Sequence, residues 1–193
     1  MVELLQKIQR YADQQAFKQL YQQLFFRLYQ FAYSFIRSKE SAEEVVNDVF
    51  MGLWQKRDSL DQIRNIQVFL YVAVRNASMN YLRKKKLPVP ASLDELTVEH
   101  IRLVATPETQ MISTEMKERV HEAVDGLPAR CRLIFKLVKE DGLSYKEVAE
   151  ILDVSYKTVD TQLYVALKKL SSTLLPLWLE YSPGTKLKTT HQP

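Results

Sequence analysis

The sequence predicts an all-α protein of two helical modules with a linker between them, and three observations carry that expectation. Apolar residues recur at steps of three and four over long stretches, the spacing that lines one face of a helix with about 3.6 residues per turn. Only four glycines occur among 193 residues, too few for the turns that a sheet protein of this length needs. Pro88 and Pro90 break the helical pattern midway, because proline lacks the N–H and disfavours helix in the residue before it.

Phe17, Leu20, Tyr21, Leu24, Phe25, Leu28, Phe31, Ala32, Phe35 and Ile36 form the first long stripe, which reads as one amphipathic helix whose aromatic face is core. Ser41 and Glu44 stand at capping-box spacing and open a second helix with Val45, Val46, Val49, Phe50, Leu53 and Trp54 inside. Its opposite face carries Glu44, Asn47, Asp48, Met51 and Gln55, a polar strip with an exposed methionine. Polar residues from Arg57 to Asn65 read as a loop. A further helix buries Leu70, Val74, Ala77 and Tyr81 and leaves Phe69, Tyr71, Arg75, Asn76 and Asn80 free, ending in the basic run Arg83, Lys84, Lys85 and Lys86. Aromatic rings and planar polar groups beside a basic run suit backbone phosphates and unpaired bases. The same run also compensates the dipole at a helix C-terminus.

Residues 87 to 108 are acidic and carry three of the seven prolines, so they read as a linker that becomes ordered on binding. A helix from Met111 to Val124, a turn at Gly126 to Pro128 and a helix from Ala129 to Val138 follow. Ser144 and Glu147 form a capping box that opens a short helix with Val148, Ala149 and Leu152 inside. Asp153 to Ser155 makes a three-residue turn with Ser155 as the next N-cap. In the helix beyond, Val159, Leu163, Ala166, Leu167 and Leu170 face the first helix of the pair, leaving Lys157, Thr158, Thr161, Tyr164, Val165 and Lys168 free. A helix presented this way enters a DNA major groove, and short polar and basic groups on its free face separate it from a plain helical corner. Residues 176 to 193 read as a tail.

Charge follows the same division. Residues 51 to 86 carry eight Lys/Arg against two acids, net +6; residues 87 to 125 carry three against eight, net −5; residues 126 to 193 carry ten against seven, net +3. Two basic modules around an acidic segment fit two separate contacts with a polyanion. The lone Cys131 excludes an internal disulfide and reads as a buried inert thiol in a reducing cytoplasm. No signal core and no stretch long enough to span a membrane are evident, so a soluble cytoplasmic protein is expected. His100, His121 and His191 are far apart and no nucleophile motif occurs, so no catalytic residue, metal site, cofactor or small-molecule substrate is expected.

Over residues 10 to 172 the chain resembles the extracytoplasmic-function (ECF) sigma factors of the sigma-70 family, promoter-selecting subunits of bacterial RNA polymerase. EEVVNDVFMGLWQK resembles the family's polymerase-clamp-binding helix, FLYVAVRNASMNYLRKKK its −10 element helix, and the stretch from GLPARC to ALKKL its −35 domain. The resemblance implies a four-helix first domain over 9–86, a linker over 87–108, a helix-turn-helix domain over 109–175 and a tail over 176–193. By position it places Glu44, Asn47, Asp48, Met51 and Gln55 against core polymerase. Arg64 and Asn65 fall at a loop that captures an unstacked −10 base, with Phe69, Tyr71, Arg75, Asn76, Asn80 and Arg83 to Lys86 along the same strand. Ser155, Tyr156, Lys157, Thr158, Thr161, Gln162, Tyr164 and Lys168 fall on −35 DNA. Core RNA polymerase, promoter DNA and a masking anti-sigma factor are the implied partners. Phe69 stands where many members have Trp, Asn80 where many have Asp, Asp160 and Gln162 where basic or small residues are frequent, and Tyr164-Val165 where His-Arg is common. A helix-turn-helix regulator that acts without polymerase is the rival reading.

Overall fold

The computed structural model describes the backbone of residues 1–98 and 114–181, and the side chains of residues 1–98 and 118–175. In chain order the α-helices are α1 (Val2–Tyr11), α2 (Gln14–Ile36), α3 (Lys39–Gln55), α4 (Ile66–Lys84), α5 (Thr114–Asp125), α6 (Ala129–Lys139), α7 (Tyr145–Leu152) and α8 (Tyr156–Tyr181), with 3-10 turns at Arg57–Gln62 and Leu93–Glu95. No strand occurs among the described residues. The apolar cluster around Ile101 to Val104, Met111 to Ser113 and the segment from Ser182 lie outside them.

Caps set the helix boundaries. Asp13 starts α2 by accepting from the backbone N–H of Gln15 at 2.8 Å and Ala16 at 3.1 Å, and left-handed Arg37 stops it. The α3 helix opens at Ser38, whose hydroxyl accepts from the Ser41 N–H, and not at the Ser41/Glu44 box expected from the sequence. Starting three residues earlier brings Ala42 into the core. The α1 helix, with Leu4, Leu5 and Ile8 turned to the core, buries Ile8 and packs on the 57–62 turn. Gln9 there donates to the Asp58 carbonyl at 2.9 Å and to Asp61 Oδ1 at 2.8 Å. The expected loop is therefore a braced 3-10 turn.

The α2, α3 and α4 helices pack on one another, α6 and α7 pack on α8, and α7 lies against α4. One apolar core runs through both groups, from Ile8 and Leu20 through Leu70 and Val74 to Leu133, Ile151 and Leu163. A smaller core joins Val124, Leu127 and Cys131 to Ala166 and Leu170. The start of the linker is ordered: Leu96 and Val98 are buried, the Thr97 N–H donates to the Ser34 carbonyl at 3.1 Å, and Arg132 Nη1 donates to the Val98 carbonyl at 2.7 Å. The α8 helix continues through residues 176–181, where a tail was expected.

Where the two groups meet, polar side chains are enclosed. Asp141 is 8% exposed; it accepts from the Tyr71 hydroxyl at 2.6 Å and lies 3.4 Å from Arg27 Nε. Its carbonyl accepts from Gln67 Nε2 at 3.1 Å, and the ammonium of buried Lys136 donates to Gln30 Oε1. Burial raises the Asp141 carboxyl, against the opposing pull of the Tyr71 hydroxyl and the Arg27 charge. Beside it, burial lifts Glu140 from the ordinary 4.5 to about 7, opposed by Lys136, and Glu140 Oε1 is enclosed with no hydrogen-bond partner.

Folding thus raises the Glu140 pKa. Between about pH 4.5 and 7 the folded chain keeps a proton that the unfolded chain has released, so stability falls as the pH rises across that window. Glu140→Gln should flatten this slope. It should leave the melting temperature near pH 5 unchanged and raise it at pH 8 by about 2–4 °C, roughly 1 kcal/mol after allowance for solvent at the outer oxygen. Thermal unfolding followed by circular dichroism at the two pH values measures this, and equal curves at pH 8 would contradict it.

Candidate nucleic-acid interface

Asn65 caps α4, its Oδ1 accepting from the N–H groups of Gln67 at 3.0 Å and Val68 at 3.3 Å. Its amide Nδ2 points away from the helix and donates to Glu147 Oε1 of α7 at 2.7 Å. Arg64 and Asn65 border a cleft of about 1090 Å³ between α3, the 57–62 turn, α4 and α7, walled also by Lys56, Ile63, Phe69 and Glu150. That is a little above the volumes of small-ligand sites, about 300–1,000 Å³. Phe69 is 44% exposed at its rim.

Along α4, Arg75 is half-buried and pairs with Asp153 Oδ2 at 3.2 Å. Asn76 and Asn80 are exposed, the latter accepting from Arg83 Nη1 at 3.2 Å. Arg83, Lys84, Lys85 and Lys86 are all exposed, and the helix ends as Lys86 turns left-handed. Tyr71 departs from the expected free face. It is 0% exposed with its hydroxyl on Asp141, because the second helical group covers the side of α4 that the sequence leaves open. Contact with DNA is closed to it in this arrangement.

The helix-turn-helix forms as its capping signals require. The Ser144 hydroxyl accepts from the Glu147 N–H, Glu147 Oε2 accepts from the Ser144 N–H at 2.7 Å, and the hydrogen bonds its carboxylate accepts from the Ser144 N–H, the Ser144 hydroxyl and Asn65 hold the carboxyl below its ordinary range. Asp153 takes the left-handed conformation at φ 56° that turns the chain. Ser155 then caps α8 through the Thr158 N–H at 3.0 Å. Val159, Leu163, Ala166 and Leu170 are buried, whereas Leu167, expected in the same stripe, is 41% exposed. Ser155, Tyr156, Lys157, Thr161, Tyr164 and Lys168 are exposed on the outer face. Thr158 and Gln162 are half-buried. Thr158 shares a hydrogen bond with Ser155, and Gln162 turns inward to accept from the buried Cys131 thiol at 3.1 Å. Burial raises that thiol's pKa.

On α3, Glu44, Asp48, Met51 and Gln55 are exposed, and Asn47 is half-buried, its Oδ1 accepting from the Tyr21 hydroxyl at 2.8 Å. The sequence gives no warning of Glu147 and Asp153 as partners of Asn65 and Arg75, since both pairs join residues more than 70 positions apart. Among the described residues no cluster of three metal-ligating side chains exists, and no helix is long and apolar enough to cross a membrane.

Two family descriptions match the chain: Sigma-70 region 2 over residues 20–87 and Sigma-70, region 4 over residues 117–170, together well over half of its length. The ECF RNA polymerase sigma-E factor of Escherichia coli (strain K12) is 25% identical over 181 residues, covering 90% of this chain and 94% of that protein. The protein of the same name from Haemophilus influenzae is 27% identical over 148 residues, covering 72% of this chain and 78% of its own. In fold, the sigma factor RpoE of Bartonella quintana, solved with the anti-sigma factor NepR, aligns with a TM-score of 0.51 at 22% identity over 82% of this chain and 96% of that one. With both regions present in the expected order around the capped helices described above, the chain belongs to the sigma-70 family, as an alternative sigma factor of the extracytoplasmic-function type that directs transcription initiation.

Proposed function

We propose that the chain delivers core RNA polymerase to promoters through three surfaces: the outer face of α3 on polymerase, the outer face of α8 on duplex −35 DNA, and the Asn65 cleft on an unstacked −10 base. The observation that carries this reading is the cleft, where a capping asparagine projects its amide, bonded to Glu147 across the cleft, beside exposed Arg64 and Phe69, with a basic helix end on the same element. An amide donor and an aromatic edge suit a flipped base, and the Lys84 to Lys86 run suits the adjoining phosphates. Arg75, Asn76 and Asn80 extend the same track. On α8, Thr161 suits base edges, while Lys157 and Lys168, on flexible stems, suit phosphates. Asp48, Met51, Glu44 and Gln55 are among the groups on α3 open to a partner, with Asn47 offering its amide N–H groups beside them.

Polymerase would supply the chemistry and this subunit the address and the strand opening, so no catalytic role is assigned to it. Its place of action is the cytoplasm, and the family resemblance brings an anti-sigma factor as a regulating partner. The match to region 2 counts against the rival regulator that works without polymerase.

Asp48→Lys should lower co-purification with core polymerase by tenfold or more (roughly) without changing helical content, since the carboxylate is exposed and caps nothing. Retention of core binding would remove α3 from that role. Asn65→Asp keeps the capping oxygen and loses the donor, so it should cut transcription from duplex promoters by about tenfold and far less from templates premelted over the −10 region, where unstacking has already been met. Equal loss on both templates would separate Asn65 from melting. On a randomised −35 library at two salt concentrations, Lys168→Ala should weaken all sequences alike and lower the salt slope by about one unit, while Thr161→Ala should change preference at one position by roughly 1–3 kcal/mol.

A further inference from the structure

We infer that Asp160 of α8 selects a cytosine in the −35 element, by accepting a hydrogen bond from the base's exocyclic amino group in the major groove. The inference rests on the reading of the outer face of α8 as the surface on duplex −35 DNA. Asp160 stands in the second turn of α8 and is exposed. Among the described residues it has neither a hydrogen-bond nor an ion-pair partner, although Lys157 lies three positions before it on the same helix. Nor does the helix start depend on it, since the Ser155 hydroxyl already accepts from the Thr158 N–H at 3.0 Å. No contact within the fold accounts for the carboxylate. At about 100° per residue, Asp160 falls on one flank of the outer face, with exposed Tyr156 and Tyr164 one turn to either side, while Lys157, Thr161 and Lys168 fall nearer its centre.

A carboxylate in the groove discriminates because only one kind of contact favours it. Phosphates repel it on every sequence. Carrying no proton, it gains only where a base edge presents a donor, and in the major groove the donors are the amino groups at cytosine N4 and adenine N6. Adenine sets its N7 acceptor beside the amino group, and that lone pair opposes the second carboxylate oxygen. Cytosine has only C5–H beside N4, so the acid settles on cytosine. Guanine O6 and N7 and thymine O4 are acceptors and are rejected. Thr161, next in the chain and about 100° round the helix, has a hydroxyl that both donates and accepts, so it suits a different base edge and does not compete for the same amino group.

The test uses the full chain assembled with core polymerase and duplex promoters whose −35 element is randomised and whose −10 element is fixed, the bound DNA being sequenced. The parent should enrich cytosine about tenfold over the other bases at one position. Asp160→Asn keeps the size, removes the charge and gains a donor, so it should move that preference to adenine, whose N6 and N7 it meets together. Asp160→Ala should leave the position unselective, while the separate position altered by Thr161→Ala stays as in the parent. A base profile that neither Asp160 variant changes, even with a general gain in binding, reduces Asp160 to a repelled charge and overturns the inference while α8 stays on the DNA. So does a parent profile in which the position that Asp160→Ala alters holds a base other than cytosine. If Lys168→Ala and Thr161→Ala also leave affinity and profile as in the parent, α8 itself leaves the −35 element and the inference falls with it.

Discussion

The arrangement of the whole molecule depends on how one carboxylate is buried. Asp141 closes α6 and precedes the helix-turn-helix, so wherever it goes the second helical group follows. An ionised carboxylate leaves water only if partners replace its hydration, and removing a partner from such a group typically costs about 3–5 kcal/mol. Tyr71 from α4 and Arg27 from α2 are those partners, and they come from different helices of the first group. Satisfying Asp141 therefore fixes α4 and α2 against α6 at once. The continuous apolar core, the covered face of α4 and the contact of α7 with α4 all follow from that junction.

Local signals in the sequence were enough for most of the helices. The α2 stripe, the Ser144/Glu147 box and the Asp153 turn are each written in residues within one or two turns of each other, and each forms as read. Tyr71 shows where such reasoning stops. It lies beside Leu70 and three residues before Val74, so on periodicity it falls at the edge of the buried stripe, and an aromatic ring with a hydroxyl suits DNA as well as core. Contacts distant in the chain decide the matter: the Phe31 ring of α2 and the Asp141 carboxylate seventy residues on. The start of α3 failed for a narrower reason: capping-box spacing picks Ser41, with Glu44 three residues on, whereas the hydroxyl that caps the helix is that of Ser38, which has no acid at that spacing. For the same reason the surfaces on α3 and α8 were mostly legible, whereas the pairs joining Asn65 to Glu147 and Arg75 to Asp153 were not.

The 57–62 turn illustrates a different kind of support. Its residues have no regular pattern of their own, yet it leads directly into Asn65. Its shape comes from α1, through Gln9 on the Asp58 carbonyl and Asp61, and from the buried Leu60. The first ten residues, which contribute no side chain to the proposed strand contacts, thereby brace the turn that leads to Asn65. Arg57 adds a contact over the Trp54 ring at 5.2 Å, anchoring the turn to the end of α3.

The double duty proposed for Asn65 would also limit what it can recognise. A free asparagine reads adenine because it donates and accepts at once, pairing with both N6 and N7. Here the oxygen is committed to the N–H groups of Gln67 and Val68, so only hydrogen donors remain to face a base. In the proposed contact, and as long as α4 stays capped, the residue would select for ring nitrogens and carbonyl oxygens over exocyclic amino groups. On that proposal, helix stability and base choice would be set at opposite ends of one amide.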